Sequence, residues 1–165
     1  MRGRIFLALT FIIIAILCFA VYQKEDIIKN GDEFYISLEP VDPRSILQGD
    51  YMILHYNYNS GKSMSWDTDD SDDMDYKYAI LYLSSNGVVS GYTLTNDEVA
   101  ADNQVLLKVQ QQKPLKFVAN TFFFQKGKAE LFDDAKFARF KYKKGESILI
   151  SLHDKSFREI KSEKF

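Results

Sequence analysis

The chain has 165 residues, 46% of them hydrophobic and 27% charged, with a formal net charge of −2. That is room for one ordinary core, and a domain acidic overall excludes a nucleic-acid partner. Cys18 is the only cysteine, which excludes an internal disulfide framework and zinc sites built on cysteine pairs.

Residues 5–22 (IFLALTFIIIAILCFAVY) run 18 positions without a charge, and as a helix they reach roughly 27 Å, close to a bilayer's hydrocarbon thickness. Arg2 and Arg4 precede the run without an acid, whereas Lys24, Glu25 and Asp26 follow it. This bias orients the N-terminus toward the cytoplasm and the rest of the chain outside. The competing reading is a cleaved signal peptide, with Cys18-Phe19-Ala20 as a poor cleavage site. A lipoprotein is disfavoured because bulky Leu17 precedes Cys18. The expected organisation is a membrane anchor at 1–22, a polar stem at 23–31 that includes Ile27 and Ile28, and one extracytoplasmic domain at 32–165.

That domain reads as mainly β with one short helix, an α+β fold. Residues 34–38, 51–58, 76–83, 88–94 and 105–110 are rich in aromatic and β-branched side chains, the composition of strands. Ser84-Ser85-Asn86-Gly87 joins two of them, and Asn-Gly supplies the positive φ angles of a tight hairpin turn. A second hairpin is expected where 137–142 meets 147–152 across Lys143-Lys144-Gly145-Glu146. Between the hairpins, 128–136 (KAELFDDAK) carries good helix formers with Ala129, Phe132 and Ala135 at steps of three, which predicts one short helix against the sheet.

Charge divides along the chain. Residues 23–107 hold 16 acids against 5 bases, and residues 108–165 hold 7 acids against 14 bases. The two halves complement one another, and folding against each other explains this more simply than a basic face for anionic lipid, because the bases are scattered. Residues 67–75 (DTDDSDDMD) place six carboxylates in nine positions. Calcium favours such oxygen-rich loops, but an EF-hand needs Gly sixth and Glu twelfth, where this chain has Asp72 and Tyr78. A solvated loop that keeps flanking strands from aggregating is the better reading. His55 and His153 stand apart without acid or histidine spacing, so no metal site and no cofactor are expected, and each reads as a surface or half-buried strand histidine.

Phe122-Phe123-Phe124 is the densest apolar cluster. Alternation along a strand prevents all three from sharing one face; the ordinary reading is core plus cover for an edge, and the functional one is a docking patch for lipid or protein beside the membrane.

In the stretch 41–56 (VDPRSILQGDYMILHY), Asp42 and Pro43 have the chemistry of a helix N-cap and first turn. Gly49 suits a left-handed turn-ending residue, and Asp50 bonds to the N–H groups exposed there. Arg44, between Asp42 and Asp50, is expected to brace the turn through ion pairs. Apolar character on both faces of 51–58 predicts a central strand covered on both sides.

Gly49-Asp50-Tyr51, Leu54 and Tyr56 match the motif of the GDYxxLxY family, and Pro40, Asp42-Pro43-Arg44 and Leu47 resemble that family's lead-in. The later FFFQKGKAELFDDAKFARFKY resembles its second half, so the likeness covers about 34–152. The chain departs from the pattern in the Asp-rich loop and in Lys126. The resemblance implies a small bacterial membrane-anchored protein of unassigned activity, of a kind often found beside or fused to polytopic membrane proteins of unknown role. The expected function is therefore a membrane-tethered, non-catalytic module that binds such a protein or an envelope component, and the membrane is the other partner. A rival reading is a tethered serine hydrolase similar to type I signal peptidases, with Ser37-Leu38-Glu39-Pro40 and Gly49-Asp50 as its boxes. Lys77 is then the best base available, and it needs burial to be neutral.

Overall fold

A computed structural model describes residues 2–39, 51–57, 76–101, 103–110, 116–125 and 127–161. Its first element, α1 (Arg2–Asn30), is one continuous helix of 29 residues. The apolar side chains from Ile5 to Tyr22 are exposed around its whole circumference. A helix hydrophobic all round needs a protein interior or a membrane to cover it, and none of the described residues covers this one. Its length and composition suffice to cross a bilayer, and Thr10, the polar residue within it, satisfies its hydroxyl on the Phe6 carbonyl one turn back at 3.0 Å. The helix does not stop at Tyr22 but continues through the polar segment to Asn30.

Nine antiparallel-paired strands follow among the described residues. They are β1 (Asp32–Leu38), β2 (Tyr51–Ile53), β3 (Tyr56–Asn57), β4 (Tyr78–Leu83), β5 (Val89–Thr95), β6 (Gln104–Lys108), β7 (Thr121–Phe123), β8 (Phe137–Lys143) and β9 (Glu146–His153). They form a four-stranded sheet in the order β3-β1-β8-β9, a three-stranded sheet β5-β4-β6 and a two-stranded ribbon β2-β7. Backbone bonds stitch the sheets into one curled layer. Tyr35 N–H donates to Gly87 O at 2.9 Å, Lys108 N–H to Gly145 O at 2.8 Å and Leu54 N–H to Asn120 O at 2.8 Å.

Period-two alternation fills the space inside the curl. Phe34 and Ile36 of β1 face Phe140 and Ala138 of β8 across the register, and all four are fully buried. Phe34 and Phe140 stack with ring centroids 5.3 Å apart. From the three-stranded sheet come Ala79, Leu81, Val89, Val105 and Leu107, and Met52, Leu54, Tyr56, Phe117, Val118 and Phe132 complete the cluster.

The two hairpins use different turns. Lys144 and Gly145 both have positive φ, 52° and 82°, as a two-residue type I′ loop requires. In the other hairpin Gly87 alone is positive, at 75°, and Gly87 N–H returns to Ser84 O. This is a type I turn closed by a left-handed glycine, with Asn86 in an ordinary conformation.

Two expectations need correction. The helix over 128–136 is a single 3-10 turn, Ala129–Phe132, without a side-chain cap. Its apolar steps of three are the period of that tighter helix rather than of 3.6 residues. The strand over 51–58 is broken. Met52, Leu54 and Tyr56 are buried whereas Ile53 is 42% exposed, so only one face is covered. The halves belong to different sheets, β2 with β7 and β3 with β1.

Candidate functional site

Tyr51, Leu54 and Tyr56 stand where β1, β7 and the core meet. Leu54 N–H bonds Asn120 O, and Glu39 N–H bonds His55 O, both at 2.8 Å. These cross-links carry the chain from the ribbon to the four-stranded sheet. Leu54 fills the core. Tyr56 is wholly buried, sets its ring edge-on against Phe140 and donates its hydroxyl to the Ala119 carbonyl. Burial holds its phenol well above the ordinary tyrosine pKa, so it is a fixed neutral donor. Asp42, Pro43, Arg44, Gly49 and Asp50, the expected Arg44 brace and the Asp-rich loop at 67–75 lie outside the described residues.

Tyr51 has a different task. In the β2-β7 ribbon it pairs with Phe123, while Ile53 pairs with Thr121, so these four side chains share one face. Phe123 is 74% exposed, and the Tyr51 and Phe123 rings lie 6.0 Å apart. Beneath them Phe122 and Phe124 both turn inward onto buried Phe132, at ring separations of 5.2 and 5.6 Å. The triple phenylalanine thus divides as alternation demands, two rings as anchors and one presented outward from a pinned backbone. Tyr51, Ile53 and Phe123 form the outward apolar strip of the domain's motif strand.

Ser37 of the rival reading lies in β1 opposite Phe137 and Asn57. Lys77 precedes β4 with an exposed side chain, without the burial a neutral amine requires.

A serine–histidine contact does occur elsewhere. Ser151 Oγ lies 3.0 Å from His153 Nε2, and His153 Nδ1 lies 3.0 Å from the Phe157 carbonyl. The carbonyl only accepts, so in the neutral ring Nδ1 donates and Nε2 accepts from the serine hydroxyl. Both residues are buried, and Tyr35 sets its ring edge-on to both His153 and Phe157. His153 is therefore an interior linker that ties β9 to the C-terminal turn, more deeply buried than its strand position suggests, while His55 is half-buried. Among the described residues no group of histidine, cysteine, aspartate or glutamate side chains is placed to hold a metal ion.

A joint between α1 and the β8–β9 hairpin lies outside the expectations drawn from the sequence. Lys24 Nζ lies 2.6 Å from Glu146, and Lys143 Nζ 2.8 Å from Asp26. Ile27 is the buried side chain among the described residues of the helix, next to half-buried Asp26. Gly31 follows with no room for a side chain, since a Cβ there would stand 2.4 Å from the Ile27 carbonyl oxygen and 2.9 Å from that of Tyr142. The lone buried isoleucine among charges was the available signal, and its partners lay over 100 positions away.

The family model described as GDYXXLXY protein matches residues 13–152. The chain matches no curated protein and no solved structure.

Proposed function

We propose a function on the premise that this chain belongs to the GDYXXLXY family: it is a membrane-tethered, non-catalytic module that docks onto a polytopic membrane protein or an envelope component. Helix α1 crosses the bacterial cytoplasmic membrane once with Arg2 and Arg4 inside, and the β domain stands outside, in the periplasm or its equivalent. The docking face is the strip of Tyr51, Ile53 and Phe123.

One observation carries this reading. Phe123 presents its ring to solvent while the residues on both sides of it are anchored on Phe132. An exposed phenylalanine on a rigid ribbon beside a second ring and an exposed isoleucine is the make-up of an interface anchor. The joint between α1 and the hairpin supports it, because a domain held at its stalk presents a fixed face to a neighbour in the same membrane.

The test is a photoreactive side chain at Phe123 in intact membranes. A discrete adduct with one membrane or envelope protein is expected, absent when the same group replaces Ser90 on the exposed face of β5. Equal labelling from both positions, or none from Phe123, refutes the docking face. Digestion of the domain by protease added to intact spheroplasts tests the orientation, and a domain protected there refutes it.

A further inference from the structure

Helix α1 has 29 residues, or roughly 43 Å, which matches the roughly 40–45 Å of a bilayer with its headgroup layers, about 30 Å of it hydrocarbon. The uncharged run closes at Tyr22, so Lys24 and Asp26 stand roughly 3 and 6 Å further along the axis, inside the headgroup layer. The chain leaves the helix only after Asn30, yet the β8–β9 hairpin reaches back to Lys24 and Asp26 through Glu146 and Lys143. Its tip hangs roughly 9 Å below the end of the helix, beside the part of α1 that emerges from the hydrocarbon.

Among the described residues, charge at that depth is not balanced. Glu146 is taken by Lys24, Asp26 by Lys143 and Glu25 by Lys29. Among the described residues Lys144 and Lys108 have no ion pair, Lys144 feeling only at longer range the Asp26 carboxylate that Lys143 already binds, and both are exposed. Lys144 occupies the first position of the turn, and Lys108 lies against its second, where a Cβ on Gly145 would stand 3.2 Å from the lysine Cγ. The carboxylate of Asp32 belongs to a residue opposite Tyr142, further from the bilayer.

We infer that the β8–β9 tip is a foot on the membrane surface, where the Lys144 and Lys108 ammoniums bind the phosphates of anionic phospholipids in the bilayer that α1 spans. The inference rests on the reading of α1 as a membrane span and adds a second contact with the same membrane. Lysine suits this role as a compact charge with three donors, and juxtamembrane lysines are drawn to anionic leaflets. Two contacts on different sides of the stalk fix the tilt of the domain, and with it the direction in which Phe123 points.

The full-length protein is reconstituted into vesicles of phosphatidylcholine alone or mixed with phosphatidylglycerol. After flotation, the lysines are acylated with a membrane-impermeant N-hydroxysuccinimide ester and each site is followed by mass spectrometry. Acylation of Lys144 and Lys108 is expected to slow about five-fold in the anionic vesicles, with the effect removed by high salt. Lys155, beyond the opposite end of β9, should react alike in both. A chain that floats with the vesicles but shows equal Lys144 and Lys108 rates overturns the foot and leaves the span intact. A chain that does not float overturns both.

Discussion

The ammonium of Lys143, the last residue of β8, lies 2.8 Å from the carboxylate of Asp26 near the end of α1, a contact across 117 positions of sequence. Both side chains remain about one-third exposed, so water and salt weaken the pair, and it contributes little. The joint's stability comes instead from buried Ile27 and from the close approach at Gly31. Gly31→Ala should therefore cost about 1–3 kcal/mol by overpacking against two backbone carbonyls, and Lys143→Gln less than about 1 kcal/mol. Chemical denaturation of the full-length protein in detergent ranks the two; a larger loss for Lys143→Gln would show that the joint is electrostatic.

Tyr56→Phe isolates one hydrogen bond inside the motif. The ring stays packed on Phe140, and the donation to the Ala119 carbonyl is lost. A net loss of about 1–2 kcal/mol is expected, seen as a fall of about 4–8 °C in Tm. Tyr56→Phe with unchanged Tm would mean that water replaces the phenol at that carbonyl.

Phe132 and Phe123 should respond in opposite ways. Phe132→Ala removes the buried ring beneath Phe122 and Phe124 and should cost about 3–5 kcal/mol. Phe123→Ala removes a ring that is 74% exposed and should change stability by less than about 0.5 kcal/mol while abolishing the photo-adduct formed from neighbouring Ile53. Loss of the adduct together with loss of stability would make Phe123 a folding residue rather than a docking one.

Some of this architecture follows from local chemistry. Phe34 and Ile36 announce their buried face by alternation, and Lys144-Gly145 between an aromatic-rich run and an aliphatic one announces a tight turn. The break after Ile53 was not legible, because residues 51–56 (YMILHY) contain no Gly, Pro, Asn or Asp to mark a break. What breaks it is long-range: Leu54 N–H finds Asn120 and the His55 carbonyl finds Glu39. In the same way, the outward strip could be narrowed to one of three phenylalanines by pattern, but only the position of Phe132 decides that Phe123 is the one. Tyr51 joins it through its register with β7, which no local signal sets. Lys24, Asp26 and Glu146 looked like dispersed surface charge because their partners are neighbours only after folding.

Lys144 sits in the left-handed region at φ 52°, where a side chain other than glycine or asparagine costs about 1 kcal/mol. Lys144→Gly should therefore raise the stability of the full-length protein in zwitterionic detergent by about 0.5–1 kcal/mol, measured by thermal or chemical unfolding. A destabilised Lys144→Gly variant would show that this lysine makes a favourable contact within the fold itself.

The C-terminal turn should be acid-sensitive. Asp154 accepts the backbone N–H of Arg158 at 3.0 Å and that of Ser156 at 2.7 Å, and it also binds the Arg158 guanidinium. These bonds, the Arg158 N–H foremost, hold its carboxyl below the ordinary aspartate pKa. A group whose folded pKa is depressed stabilises the fold above its unfolded value of about 3.9 and loses that contribution as pH falls through the folded value. Asp154→Asn keeps an acceptor oxygen but no charge, so wild type should be the more stable of the two at pH 7, and the gap should close below about pH 4. Unfolding followed across that range checks the sign. A gap that persists in acid would mean that the turn depends on carboxylate shape rather than on its charge, because protonation would then leave the difference between aspartate and asparagine unchanged.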